Sequence, residues 1–213
     1  MAWIDATIEA NVGPMRAGKT ENAMSRLRHL MRMQQFGKGV RFVFIRPKLD
    51  NRQADPTRIE NHDGVPLEGV KAIIIDHKQP TLILDDPQVS QAQVVIIDEV
   101  QFFDRTICSV LLKLYLARKH ILVFGVDTDH LGRAFRTTAD ILGLPETQVR
   151  KLDTAICEED CQRTATRTIR IIAGHPDAKE SRQFVVEGKG ATYRSVCLQC
   201  FIRIMTEAGI PIH

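Results

Sequence analysis

Apolar and polar stretches alternate along the first 125 residues in a way that predicts strands and helices in turn. Apolar composition predicts buried strands at Gln93–Ile97 and His120–Gly125, and β-branched and aromatic residues predict a strand at Val40–Ile45. Short strands are predicted at the apolar-leaning stretch Ala6–Val12 and at Leu82–Leu84. Apolar residues at spacings of three and four predict helices over Thr20–Gln35 and Ile107–Ala117. Strands that alternate with helices indicate parallel crossover units, and therefore an α/β sheet covered by helices on both faces.

Two regions depart from this alternation. Residues 46–69 contain several prolines and glycines and are predicted to be irregular. After about residue 150, four of the five cysteines fall within residues 157–200, together with β-like runs at Thr168–Ile172 and Gln183–Val186. We therefore predict an α/β domain over residues 1–150 and a small β-rich metal-binding module over residues 151–213.

Composition narrows the class of protein. The 29 Lys and Arg residues against 26 Asp and Glu leave a net charge of +3, which is small for a nucleic-acid-coating protein but compatible with binding a few phosphates. The apolar runs are much shorter than the ~18 residues that a membrane helix needs, and the N-terminus does not resemble an export signal. We therefore expect a cytoplasmic protein whose cysteines are thiols or metal ligands rather than disulfides.

Two motifs suggest phosphoryl chemistry. Gly13–Thr20 fits G-x-x-x-x-G-K-[ST], in which glycines let backbone N–H groups approach phosphates, the lysine reaches their oxygens, and the hydroxyl binds Mg²⁺. The predicted strand at Gln93–Ile97 ends in Asp98 and Glu99. An acidic residue at such a strand end holds Mg²⁺ in P-loop enzymes, so we assign Asp98 to the metal and regard Glu99 as a candidate general base or water-positioning residue. A pair of solvated acids at the start of a loop is the alternative.

The cysteines form two close pairs, Cys157-x₃-Cys161 and Cys197-x₂-Cys200. Four thiolates from two such pairs make a closed, structural Zn²⁺ site, and two pairs of reduced core thiols are the alternative. Cys108 lies on the apolar face of a predicted helix and is interpreted as a core residue. If zinc pins the segment 162–196, its removal is expected to loosen this segment while the α/β domain stays largely folded.

Six motifs, in the same order along nearly the whole chain, resemble those of the thymidine kinases of the small, tetrameric, zinc-containing type, often called type II. They are Gly13–Thr20, Asp50–Arg52, Ile97–Phe103, Gly125–Phe135, Lys151–Cys157 and Tyr193–Cys200. The resemblance implies a RecA-like P-loop domain with a parallel sheet flanked by helices. It also implies a zinc module carrying a loop, the lasso, that closes over the nucleoside.

The activity that the resemblance implies is ATP-dependent phosphorylation of the thymidine 5′-hydroxyl, giving thymidine monophosphate and ADP in deoxynucleoside salvage, by a homotetramer. Glu99 would take the hydroxyl proton. ATP and Mg²⁺ would be bound by Gly13, Pro14, Met15, Arg16, Ala17, Gly18, Lys19, Thr20, Asp50, Arg52 and Asp98. The nucleoside would be bound by Met15, Phe102, Phe135, Thr168, Val186, Glu187, Gly188 and Tyr193. Structural zinc would be bound by Cys157, Cys161, Cys197 and Cys200.

Some residues depart from the family pattern. The first cysteine pair has a three-residue spacing where two is usual, and His130 and Ala134 stand where the family commonly has an aromatic residue and proline. Arg16 and Ala17 replace an aromatic residue and serine in the phosphate loop, and we predict that Arg16 points to solvent.

Two other functions remain open at this point. One is a kinase for a broader set of deoxypyrimidines. The other is a RecA-like ATPase with a nucleic-acid-binding zinc module, which the small net charge and an aromatic content of 6% disfavour.

Overall fold

A computed structural model describes residues 6–37, 39–48, 55–61, 63–159, 161–179 and 190–212. The predicted site residues Asp50, Arg52, Val186, Glu187 and Gly188, and the predicted β-like run at Gln183–Val186, lie outside these ranges. The chain divides into two compact units. The first comprises Met1–Val12, Lys19–Gly125 and Arg136–Arg150, and the second comprises Gly13–Gly18, Val126–Phe135 and Lys151–His213.

The first unit contains a mixed sheet. Its strands are β1 (Thr7–Val12), β2 (Phe42–Lys48), β3 (Arg58–Glu60), β4 (Pro66–Asp76), β5 (Val94–Ile97), β6 (His120–Gly125) and β7 (Thr147–Lys151). The sheet has seven strands in the order β3-β4-β2-β5-β6-β1-β7. The pairs β1–β6, β2–β4, β2–β5 and β5–β6 are parallel, whereas β3 runs antiparallel to β4. The predicted α/β sheet is therefore confirmed, with an antiparallel edge.

Helices cover both faces of this sheet. They are α1 (Lys19–Gln35), α2 (Pro87–Gln91), α3 (Ile107–Leu116) and α4 (Arg136–Leu142), with 3₁₀ turns at Pro80–Asp85 and Val100–Phe102. All four residues of β5 are buried. Val95 and Ile97 join the apolar cluster that includes α3, whereas Val94 and Ile96 join the cluster that includes α1. Successive side chains of a strand point to opposite faces, so this division explains why β5 is apolar throughout.

The structure corrects two predictions for this unit. Leu82–Leu84 belongs to a 3₁₀ turn that begins at Pro80, not to a strand, and Leu82 is exposed. Residues 46–69 are not irregular throughout, because they include the end of β2, all of β3 and the start of β4. Pro66 and Gly69 are tolerated because they lie at the start of β4, beside the short edge strand β3.

The described residues of the second unit form a small antiparallel sheet and a ten-residue helix. Strands β8 (Arg167–Ile172), β9 (His175–Pro176) and β10 (Ala191–Val196) form a sheet in the order β10-β8-β9, and α5 (Leu198–Glu207) follows β10. Its apolar cluster includes Ile169, Val196 and Phe201 together with cysteines of both pairs. Within the described part of the chain, none of the helices combines the length and apolar character that crossing a membrane requires.

Candidate active site and metal centre

The phosphate-loop motif adopts a tight conformation that depends on its glycines. A Cβ on Gly13 would lie 2.7 Å from the backbone oxygen of Leu152, too close for any side chain. Gly18 has a φ of +72°, and a Cβ there would lie 2.9 Å from Thr154 Oγ1. Positive φ is available to glycine without a steric penalty. These glycines are therefore needed for the path of the loop and for its contact with Leu152 and Thr154.

Two of the non-glycine residues of the loop are fixed by polar contacts within the second unit. The Met15 N–H donates a hydrogen bond to Thr168 Oγ1 at 3.0 Å, and its C=O accepts one from Ser195 Oγ at 2.6 Å. Thr168 and Ser195 are partners across β8 and β10. Arg16 is exposed, as predicted, but its guanidinium also forms an ion pair with Glu158, with Nη1 2.8 Å from Oε2.

Asp98 is a buried carboxylate at the carboxyl end of β5. Its Oδ2 accepts hydrogen bonds from Arg46 Nε at 3.3 Å and Nη2 at 3.2 Å, and its Oδ1 accepts one from the Glu99 N–H at 3.0 Å. Burial raises the pKa of the Asp98 carboxyl, and the charge of Arg46 opposes this rise. A buried carboxylate at a strand end, fixed in orientation, suits the hard oxygen ligation that Mg²⁺ prefers.

Glu99 has a strained backbone and an oriented side chain. Its φ of 53° places a non-glycine residue in the left-handed region, an uncommon conformation that often marks functional sites. Gln101 Nε2 donates a hydrogen bond to Glu99 Oε2 at 2.5 Å. Gln101 fits because residue 125 is glycine: a Cβ there would lie 2.7 Å from Gln101 Oε1 and 2.9 Å from Val100 Cγ1. The two adjacent acids therefore have different partners and different exposure.

Sequence reasoning did not assign roles to Arg46 and Gln101. Arg46 directly follows the predicted strand Val40–Ile45, and β2 is the parallel neighbour of β5. Because the carboxyl ends of parallel strands meet at one edge, this placement was a usable signal for a partner of Asp98. Gln101 carried no comparable signal, since its position depends on the turn at Val100–Phe102 and on Gly125.

The four cysteines of the two pairs form one cluster. Their Sγ atoms all lie within 4.8 Å of one another, and Cys161 Sγ is 3.7 Å from that of Cys197 and 3.6 Å from that of Cys200. A tetrahedron with Zn–S bonds of ~2.3 Å has S···S edges of ~3.8 Å, so the donor set fits zinc. With its three-residue spacing the first pair still places both thiols in this cluster, and the Cys161 N–H donates a hydrogen bond to Glu159 O.

Local structure also prepares one of these thiols for metal binding. Cys197 caps α5, and its Sγ accepts a hydrogen bond from the Cys200 N–H at 3.5 Å. This contact is the main reason that the pKa of Cys197 is lowered to about 7, because it favours the thiolate form. Desolvation instead raises the pKa of Cys200 to about 12.

The remaining described site residues lie in both units. Phe102 ends the 3₁₀ turn after Glu99 and is half-buried. Phe135 is half-buried, and its N–H donates to Asp127 O at 3.0 Å. Thr168 and Tyr193 are buried on neighbouring strands. The structure brings Asp98 together with Glu99, Met15 with Thr168, and the four cysteines with one another.

His130, at a position where the sequence departs from the family pattern, is buried. Its Nε2 lies 3.3 Å from the backbone oxygen of Lys179, which also accepts a hydrogen bond from Arg170. Desolvation is the main cause that lowers the pKa of His130, and the nearby charge of Arg170 adds to it, against the opposing effects of Asp129 and Asp177. His130 is therefore part of a polar group within the second unit.

A phosphate-loop motif between a strand and a helix, with an acidic pair after a second buried strand, defines the P-loop class of phosphoryl-transfer proteins. The family model "Thymidine kinase" matches residues 6–201. A thymidine kinase of Mycoplasma capricolum subsp. capricolum is 32% identical over 202 residues, covering 95% of this chain and 90% of that protein. The chain belongs to the thymidine kinase family, which confirms the resemblance and the predicted enzyme class.

One solved structure with limited similarity is the large terminase of a thermophilic bacteriophage. It matches with a TM-score of 0.35 and 12% sequence identity, over 70% of this chain and 41% of that one.

Proposed function

We propose that this thymidine kinase transfers the γ-phosphoryl group of ATP to the 5′-hydroxyl of thymidine, giving thymidine monophosphate and ADP in deoxynucleoside salvage. The observation that carries the proposal is the contrast between the adjacent carboxylates. Asp98 is buried against the guanidinium of Arg46, whereas Glu99 is half-buried and oriented by Gln101. Neighbouring acids in different environments are suited to different roles, here metal binding and proton acceptance.

In this mechanism the protein positions the reacting groups and neutralises the negative charge of the phosphates. Glu99 accepts the proton of the 5′-hydroxyl as the 5′-oxygen bonds to the γ-phosphorus and the bond to the β,γ-bridging oxygen breaks. Gln101 holds the carboxylate of Glu99 in one orientation. Lys19 neutralises charge on the phosphates, while Thr20 and Asp98 would hold Mg²⁺, which when bound shields the phosphate oxygens. Asp50 and Arg52 are proposed from the family pattern to approach the same phosphates.

The nucleoside is proposed to contact Met15, Phe102, Phe135, Thr168 and Tyr193, and the backbone near Val186–Gly188. The hydrogen bond from the Met15 N–H fixes the hydroxyl of Thr168, which supports a shared role for these two residues. A pocket that has room for a base with a single ring would favour pyrimidine nucleosides over purine nucleosides. Loss of the thymine methyl group typically costs ~1–3 kcal/mol in such a pocket, so deoxyuridine is expected to be a poorer substrate.

A broader deoxypyrimidine kinase is the second candidate. It is supported by His130, which is buried and polar where the family commonly has an aromatic residue. We also propose, from the family pattern, that the protein is a homotetramer in the cytoplasm. Zinc is proposed from the same pattern and from the fit of the four Sγ atoms. Family membership disfavours the nucleic-acid-binding ATPase.

A nucleoside panel tests this proposal. ADP release should be fastest with thymidine, slower with deoxyuridine, and near background with deoxyadenosine and deoxyguanosine. Lys19→Ala should lose both ATP binding and turnover. A panel in which a purine nucleoside ranks first would contradict the proposed pocket. Equal rates with thymidine, deoxyuridine and deoxycytidine would instead support the broader kinase.

A further inference from the structure

The backbone of the phosphate loop is held by the sheet of the second unit. Both backbone polar groups of Met15 form hydrogen bonds there: the N–H donates to Thr168 Oγ1, and the C=O accepts from Ser195 Oγ. Thr168 and Ser195 are 4% and 1% exposed, so water is a poor substitute for either hydroxyl. The position of Met15 therefore depends on the pairing of β8 with β10.

The segment that leads to the first cysteine ligand also contacts the loop. Glu158, the residue after Cys157, forms the ion pair with Arg16 through Oε2. Its Oε1 accepts a hydrogen bond from the Ser195 N–H at 2.7 Å, and its own N–H donates to Ser195 O at 2.9 Å. Ser195 lies two residues before Cys197. One ligand from each cysteine pair is thus within two residues of a side chain that holds the loop.

Apolar packing adds a third connection. Ala17 of the loop is 1% exposed and packs with Ala155 and Ala165, with Leu152 at the edge of this small cluster. Ala155 lies two residues before Cys157, and Leu152 is the residue whose backbone excludes a side chain at position 13. The residues that pack against Ala17 therefore come from the segments directly before and after the first cysteine pair, since Ala165 follows Cys161.

We propose that Ser195 and Glu158 are positioning residues that couple metal binding at the cysteine cluster to nucleotide binding at the phosphate loop. The inference rests on the proposed nucleotide-binding role of Gly13–Thr20. A metal ion that fixes Cys157 and Cys197 also fixes the segments carrying Glu158 and Ser195, so the loop is preorganised for phosphate. Without the metal these segments loosen, and nucleotide binding must supply the ordering free energy.

Removal of the metal is therefore expected to weaken nucleotide binding at the phosphate loop. Binding linkage is reciprocal, so a metal that tightens nucleotide binding by some factor is itself bound more tightly by the same factor when nucleotide is present. The coupling can therefore be measured from either ligand, without any catalytic turnover.

The test uses the full-length, zinc-loaded protein and MgADP as the probe. Ser195→Ala leaves the Met15 C=O without its donor, and we expect it to raise the Kd for MgADP about three- to tenfold, the order expected for one buried hydrogen bond. Thr192→Ala is the matched control, because Thr192 is an exposed hydroxyl residue of the same strand. This control should bind MgADP with the wild-type Kd.

Zinc retention is the second measurement. Transfer of zinc to a colorimetric chelator should require more chelator when MgADP is present with the wild-type protein and with Thr192→Ala. This difference should shrink in Ser195→Ala. Glu158→Gln provides a milder variant that keeps an oxygen for the Ser195 N–H and removes the charge opposite Arg16. Because that ion pair is partly exposed, we expect only about a twofold effect on Kd.

The outcomes separate the coupling from the function on which it rests. If Lys19→Ala leaves the Kd for MgADP unchanged, the nucleotide-binding role of the loop is wrong. If binding depends on Lys19, but Ser195→Ala and Glu158→Gln both keep the wild-type Kd and MgADP does not affect zinc retention, the coupling is wrong. If Ser195→Ala does not fold, the Kd and zinc retention of Glu158→Gln decide the question.

Discussion

Gly125→Ala is expected to disturb catalysis through the orientation of Glu99. The added Cβ would lie 2.7 Å from Gln101 Oε1 and 2.9 Å from Val100 Cγ1. Val100 has a short, branched side chain and is fully buried, so Gln101 is the residue that must move. Gln101 donates the hydrogen bond that orients the Glu99 carboxylate. A methyl group at position 125 therefore disturbs the proposed base without touching it.

Gly125→Ala is expected to affect both the stability of the protein and its kcat. Inserting a methyl group into a packed site typically destabilises a protein by ~1–3 kcal/mol. General base catalysis contributes ~10²–10⁴-fold, and a base that is present but poorly oriented loses part of that factor. We therefore expect kcat to fall by roughly 10–100-fold, with the Kd for MgADP little changed.

The assay combines steady-state kinetics with urea unfolding, and Gly143→Ala is the control. A Cβ at Gly143 meets only ordinary contacts, the nearest at 3.6 Å, so this variant reports the general effect of replacing glycine by alanine. It should keep the wild-type kcat and should not lose stability. Wild-type kcat and stability in Gly125→Ala would refute the argument that Gln101 orients Glu99.

The proposed base, the buried His130 and the cysteine cluster can each be tested by substitution. Glu99→Gln should lower the single-turnover rate by roughly 10²–10⁴-fold, while the ATP affinity measured by titration changes little. An unchanged single-turnover rate would show that another group is the base. Burial lowers the pKa of His130, so below about pH 6.5 the unfolded state binds more protons and the free energy of unfolding falls as the pH is lowered. In urea titrations, His130→Phe should reduce the slope of unfolding free energy against pH by at most ~1.4 kcal/mol per pH unit. The part of the slope due to His120, whose pKa is also lowered by burial, should remain. An unchanged slope would contradict the lowered pKa of His130. Metal analysis should find about one zinc per chain, lost in Cys200→Ser, and zinc-free protein with full activity and wild-type stability would show that the cysteines are core thiols.

The central strands of the first unit could be predicted from the pattern of apolar residues alone. The predicted strands at Val40–Ile45, Gln93–Ile97 and His120–Gly125 lie within two or three residues of the observed bounds, because these central strands are buried on both faces and must be apolar throughout. Strand β4 was missed because it mixes exposed Glu68 and Gly69 with buried Leu67. Near a sheet edge, the apolar pattern is too weak to identify a strand.

The candidate site was predictable where it depended on short motifs and not where it depended on tertiary contacts. The phosphate-loop motif and the two cysteine pairs are local signals, and the structure confirms that the four cysteines come together. The Arg16–Glu158 ion pair joins residues 142 positions apart, and the bond between Met15 and Ser195 spans 180. Such contacts are set by the fold of the second unit, and the sequence contains no local pattern for them.

Transfer of labelled phosphate tests the central claim most directly. With ATP labelled at the γ-phosphorus, Mg²⁺ and thymidine, the proposed function predicts that the label appears on the 5′-oxygen of thymidine monophosphate, with one ADP formed for each. Thymidine lacking its 5′-hydroxyl should give no labelled nucleotide. Release of the label only as inorganic phosphate, at the same rate with and without thymidine, would contradict the proposal that this chain phosphorylates thymidine.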